Sequence, residues 1–155
     1  MKHLKRCFFI IFFSDLKIIK IMQNKNMMDN IWYNSLIKPP LTPPDYIFAP
    51  VWIVLYCLIF LSIVIFILKE SSDKSLGYLY FFLQILLNFL WAPVFFEMKN
   101  IFLALIILFF LLMFLLVTIQ QFYLVSKISS LFLLPYLFWV FYALYLNIGF
   151  YILNK

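Results

Sequence analysis

Gln84, Asn88, Trp91 and Phe95 recur at i, i+4, i+7 and i+11, a spacing that sets side chains along one stripe of a helix. Trp52 and Tyr56 stand at i, i+4, and Tyr136, Trp139 and Ala143 at i, i+3, i+7. Amides and large aromatics recognise molecules, and of these residues Trp52 and Trp139 could also serve as electron donors in a photo-oxidation. The only histidine is His3, and the two cysteines, Cys7 and Cys57, stand at no metal-ligand or CxxC spacing. No catalytic residue, metal ligand or cofactor is expected. What the stripes offer is aromatic walls, a few orienting hydrogen-bonding groups, and a small residue, Ala143, that would leave room between them.

These residues sit in a chain that cannot fold like a soluble domain. Of its 155 residues 67% are hydrophobic, 23% aromatic and only 12% charged, with a mean hydropathy of +1.07. An ordinary soluble domain carries roughly 25% charged residues. The net charge of +6 lies in loops and termini, so it is assigned to lipid headgroups and not to nucleic acid. The length fits a single transmembrane domain, residues 1–155.

Four segments reach the roughly 20 apolar residues that a spanning helix needs. They are Ile47 to Leu68, Leu76 to Phe96, Ile101 to about Tyr123, and Leu131 to Leu153, and none contains Asp, Glu, Lys, Arg or His. The joints between them, "KESSDKS", "EMKN" and "LVSKISS", are short enough to make sequential neighbours antiparallel. Ahead of them, Cys7 to Phe13 is an apolar core bounded by Lys5 and Arg6 and interrupted by Asp15, Lys17 and Lys20. It is read as a short first helix, giving an all-α bundle of five transmembrane helices. A signal peptide is the competing reading, although no small-residue cleavage site follows. The positive-inside rule does not orient the bundle: Lys2, Lys5, Arg6, Lys69, Lys74 and Lys127 fall on one side, and six basic residues on the other.

The segment from about residue 23 to residue 46 is the exception among short connections. It holds Pro39, Pro40, Pro43 and Pro44, which favour extended, low-entropy backbone. By alternation it lies on the same side as Asn88 and Trp91, roughly 18 and 22 Å along their helix. An unpaired amide in hydrocarbon costs several kcal/mol, so Gln84 and Asn88 are expected to face inward beneath this loop. The loop reads as a lid. A belt of interfacial aromatics with Asn88 as interhelical glue is the plainer alternative for any single residue.

Four stretches, "WYNSLIKPPLTPP", "FAPVWIVLY", "LLNFLWAPVFF" and "LLPYLFWVFYALYLN", together resemble the translocator protein (TspO/MBR) family, the tryptophan-rich sensory proteins that include the peripheral-type benzodiazepine receptor. The resemblance covers about Trp32 to Asn147. It implies five membrane helices and a pocket for tetrapyrroles or other hydrophobic small molecules, capped by the first loop. The matching positions are Tyr33 and Pro44 in the loop, then Trp52, Tyr56, Asn88, Trp91, Phe95, Trp139 and Ala143 on the helices. Departures are Asp15, Leu103 in place of an early aromatic, and Leu79 and Leu83 where small residues support dimer packing in relatives. Homodimerisation is left open on that account. "LNIGFYILNK" fits a loose sterol pattern through Leu146, Tyr151 and Lys155.

Three functions remain open at this point. The first is a receptor or carrier for porphyrin-like ligands, the second light-dependent oxidative degradation of porphyrin, and the third a scaffold with a vestigial pocket. The four long segments lack the carboxylates, histidines and lysines used in hydrolysis, metal catalysis and proton-coupled transport. Heavy use of Ile, Lys, Asn and Phe points to an AT-rich genome and a bacterial cell membrane.

Overall fold

The computed structural model describes residues 31–71 and 73–155. The segment around Cys7 to Phe13, with Asp15, lies outside them. A single helical turn, α1 (Ile31–Ser35), is followed by the proline-rich loop and a 3-10 turn (Asp45–Ile47). Four long helices follow: α2 (Phe48–Leu68), α3 (Ser75–Ala92), α4 (Ile101–Val125) and α5 (Lys127–Leu153). Each is long and apolar enough to cross a membrane. Large side chains such as Phe82, Leu86, Phe109, Phe110, Phe138 and Phe141 are exposed along their outer faces. A continuous apolar exterior of this kind needs hydrocarbon as its solvent. The chain is an integral, multi-pass membrane protein.

Local chemistry sets the helix ends. Asn100 begins α4 by accepting a hydrogen bond from the Leu103 amide at 2.9 Å. At the other end of the bundle, Lys74 donates to the Phe66 and Ile67 carbonyls, at 3.0 and 3.2 Å, and to the Lys69 carbonyl. One ammonium group thus satisfies orphan carbonyls of the last turn of α2. The break between α4 and α5 is a single extended residue, Ser126 (φ −156°, ψ 113°). "LVSKISS", expected as a joint, is therefore mostly helix.

The reason is visible in the packing. The Ser62 hydroxyl donates to the Ser129 carbonyl at 2.7 Å, and the Ser129 hydroxyl returns a bond to the Ser62 carbonyl at 2.6 Å. Both serines are fully buried. Residues that read as a polar turn are an interhelical clasp between α2 and α5.

In space α2 packs on α5, α5 on α4, and α4 on α3. Despite the short link between them, α2 and α3 are not a close pair, which corrects the expectation that every sequential pair packs together. Long side chains reach across instead, with the Tyr56 and Phe89 rings stacked at 6.3 Å. At the end far from the proline loop the core is closed. Phe66 stacks on Phe122 at 4.0 Å and 9°, and the Phe66 ring lies against Gly77 so closely that a Cβ there would stand 2.5 Å from it.

Pro93 shapes the other end of α3. A proline has no N–H to give to the preceding turn, and the helix continues as a wider π turn over Pro93–Glu97. The Met98 amide donates to the Pro93 carbonyl at 3.0 Å, the i to i+5 bond of that turn. Phe95 and its neighbour Phe96 both reach the interior here.

Candidate functional site

A cavity of about 100 Å³ lies inside the bundle beneath α1. It is lined from α2 by Phe48, Ala49 and Trp52, and from α3 and its π turn by Asn88, Trp91, Phe95 and Phe96. Leu108 and Leu111 come from α4, and Trp139, Val140, Tyr142, Ala143, Leu146, Asn147 and Phe150 from α5. Tyr33 closes it from α1. Among the described residues the lining contains no Asp, Glu, Lys, Arg or His.

The walls are aromatic and interlocked. Trp52 and Trp139 meet edge to face at 6.3 Å, and Phe48 meets Trp139 at 5.9 Å. On the opposite wall Trp91 stacks on Phe95 at 5.4 Å. Tyr33 sits between Phe95, Phe96 and Phe150, with centroids 5.6 to 6.4 Å away. The sequence reads Trp32 to Ser35 as irregular loop; one turn of helix instead drives Tyr33 down among these rings, leaving it 6% exposed.

Two amides bind the helices together at this level. Tyr56 Oη donates to Asn88 Oδ1 at 2.8 Å, and Asn88 Nδ2 donates to Tyr136 Oη at 2.9 Å. One side chain of α3 thereby joins α2 and α5. Asn147, with its amide oriented to match donors with acceptors, accepts from Trp91 Nε1 at 3.2 Å and donates to the Ile101 carbonyl at 3.1 Å. Gln84, one turn from Asn88, is also fully buried, but neither of its amide atoms has a partner among the described residues.

Seven of the sequence-predicted residues therefore converge on the cavity: Tyr33, Trp52, Asn88, Trp91, Phe95, Trp139 and Ala143. Two do not line it. Tyr56 stacks on Trp52 at 5.3 Å and supports that wall from behind, while Pro44 is exposed on the loop. Asn147 and Phe150 could have been found by extending the Tyr136–Ala143 stripe to i+11 and i+14. Leu108 and Leu111 carry no mark that separates them from the other leucines of α4.

The proline loop is fastened to α5. Tyr142 Oη donates to the Leu41 carbonyl at 2.6 Å, and Tyr145 Oη to the Pro40 carbonyl at 3.0 Å. Pro39 is buried against Gly149, where a Cβ would come within 2.5 Å of the Pro39 ring. Asn154 accepts from the Ile37 amide at 2.8 Å and donates to the Ile37 carbonyl at 3.1 Å. Leu41 holds a left-handed backbone, φ 64°, which a leucine adopts only where its surroundings impose it.

Comparison with known proteins agrees with this architecture. Residues 7–153 match the TspO/MBR family. The chain is 41% identical over 125 residues to the tryptophan-rich protein TspO of Archaeoglobus fulgidus, covering 79% of this chain and 80% of that one. It is 34% identical over 125 residues to protein CrtK of Rhodobacter capsulatus, covering 79% and 78%. It is also 34% identical over 121 residues to the translocator protein of Bos taurus, covering 75% and 70%. With four spanning helices, a tryptophan-walled cavity and a family match over nearly its whole length, the chain belongs to the TspO/MBR family.

Proposed function

We propose that the protein is a membrane receptor or carrier that takes a flat, hydrophobic ring, of which tetrapyrroles are the leading class, into the cavity beneath its first loop. The observation that carries this reading is the convergence of Trp52, Trp91 and Trp139 on one apolar space with no acidic or basic side chain in its lining among the described residues. Aromatic walls stack on extended π-systems, and a few fixed polar groups set orientation. Asn88 and Asn147 are those groups here, each held by other helices.

Size adds a condition. Sites for drug-sized ligands run to roughly 300–1,000 Å³, whereas this cavity is about 100 Å³. Entry of a macrocycle requires the walls to part, and the loop with α1 is held against α5 by side-chain contacts. The names of two relatives, the translocator protein of Bos taurus and the tryptophan-rich sensory protein of Cereibacter sphaeroides, accord with a role in moving or sensing a molecule.

The test is tryptophan fluorescence of the purified protein titrated with protoporphyrin IX. Saturable quenching is expected, with the affinity it reports reduced in Trp52→Ala and Trp139→Ala. Quenching that is linear in porphyrin, or identical in both variants, would sink the reading and leave a scaffold with an unused cavity.

A further inference from the structure

We infer that Trp139, Tyr142 and Tyr145 form a one-electron relay from the cavity to the water boundary at the proline loop, so that an indole oxidised inside the bundle is reduced again from outside. The path rests on α5 alone. The pocket reading above supplies only the oxidant, a photoexcited conjugated ring held in the cavity.

The three residues follow one another at i, i+3 and i+6 of α5, a row in which each side chain neighbours the next. Trp139 lies 5.6 Å from Tyr142 between ring centres, and Tyr142 stacks on Tyr145 at 6.4 Å and 19°. Trp52 adjoins the inner end, 6.3 Å from Trp139. Every step falls in the roughly 4.5–7 Å range of interacting aromatic rings. Trp52, Trp139 and Tyr142 line the cavity, while Tyr145 is 42% exposed. Indole and phenol rings lose one electron readily; a plain benzene ring does not. Trp91, on the opposite wall, meets Phe95 and Phe96, which cannot pass the charge on.

The outer end suits a phenol that must shed a proton. Tyr142 and Tyr145 donate to the Leu41 and Pro40 carbonyls of the loop. Non-helical backbone of this kind belongs at the water boundary, because hydrocarbon leaves its polar groups unsatisfied. Tyr145 is set at that boundary with it.

The steps balance. The excited ring takes one electron from Trp139 and becomes a radical anion, from which dioxygen removes that electron as superoxide. The oxidised indole recovers an electron from Tyr142, and Tyr142 recovers one from Tyr145 and regains its proton from water. Tyr145 is left as a neutral phenoxyl radical, its own proton released to water. A water-borne thiol then gives Tyr145 an electron and a proton and becomes a thiyl radical. Transfer from phenol to oxidised indole runs downhill near neutral pH, because the phenol releases its proton with its electron.

The first experiment needs no ligand. Azide radicals made by pulse radiolysis oxidise indoles in the full-length protein in detergent, and indolyl absorption is followed as it gives way to phenoxyl absorption. An intramolecular phase, independent of protein concentration, is expected. Its amplitude should fall in Trp139→Phe and in the double variant Tyr142→Phe with Tyr145→Phe, each of which keeps a ring at every position. Asn154→Ala, which frees the loop and leaves all three rings, should keep the full amplitude. An amplitude unaltered in the double variant overturns the relay. So does an equal fall in Asn154→Ala, which would make the two tyrosines loop fasteners alone. In the second experiment protoporphyrin IX is bound and illuminated in air, and oxidised Trp52 and Trp139 are measured by mass spectrometry. Their formation should be faster in the double variant, and equal rates overturn the link to the cavity. Failure of porphyrin to bind sinks the pocket reading and leaves the radiolysis phase standing, which separates the two failures.

Discussion

Asn154 holds Ile37 by both of its backbone groups, accepting from the amide at 2.8 Å and donating to the carbonyl at 3.1 Å, across 117 positions of sequence. The last residues of α5 and the first of the proline loop are thereby one unit. Each such bond contributes about 0.5–1.5 kcal/mol net. Asn154→Ala, which removes both, should loosen the loop by about 1–2 kcal/mol. The expected result is porphyrin release faster by roughly 5- to 30-fold in stopped-flow fluorescence. An unaltered release rate would show that the loop does not gate the cavity.

The bridge from Tyr56 through Asn88 to Tyr136 makes a different claim. Asn88→Leu removes the acceptor of Tyr56 Oη and the donor to Tyr136 Oη, both inside the membrane. Thermal stability in detergent should drop by about 1–2 kcal/mol. Tyr136→Phe added to Asn88→Leu should recover part of that loss, because the fully buried Tyr136 hydroxyl is then no longer present. A double variant less stable than Asn88→Leu alone would contradict this account.

How much of this was legible in the sequence differs between helices and loop. The apolar runs located all four spans, because hydrocarbon demands length and composition that little else satisfies. Helical spacing also grouped the cavity residues of α3 and α5, since a polar or aromatic stripe stands out against leucine. Three features escaped. Ser129 looks like a turn residue until Ser62 is opposite it. The helical turn that buries Tyr33 is too short to show periodicity. The fastening of the loop depends on Tyr142, Tyr145 and Asn154, whose partners are backbone atoms about a hundred residues away and carry no side-chain signature, and on Gly149, which admits the Pro39 ring.

Gln84 is where polarity and burial conflict. Its side chain is fully buried, and neither amide atom finds a partner among the described residues. A stranded amide costs about 1–3 kcal/mol. Gln84→Met keeps the volume close and removes the polar group, so the melting temperature in detergent should rise. A fall would reveal a buried water or another partner that satisfies Gln84.

At the opposite end of the bundle Asp73 accepts from the Ser75 amide at 2.9 Å and from its hydroxyl at 2.7 Å. These bonds, the backbone one foremost, hold its carboxyl below the usual carboxylate range. A depressed folded value means stability that is present above the ordinary carboxylate range and lost as pH falls through the lowered one. Asp73→Ala should therefore be less stable near neutrality and show less loss on acidification. Melting curves from about pH 6 to about pH 2 check this, and parallel pH profiles for the two proteins would refute it.

Trp139 tests the cavity itself. Its ring touches Phe48, Trp52 and Tyr142, yet it remains only partly buried, because one side faces the cavity. The closed core of Phe66, Phe81 and Phe122 lies elsewhere in the bundle and does not depend on it. Trp139→Ala should therefore leave the protein folded while removing one wall of the site. Porphyrin binding should weaken by about 1–3 kcal/mol, the scale of burying one large aromatic. Trp139→Phe, which keeps a flat face at that position, should recover much of the loss. A correctly folded Trp139→Ala protein with unaltered affinity would return Trp139 to plain helix packing and move the ligand site away from α5.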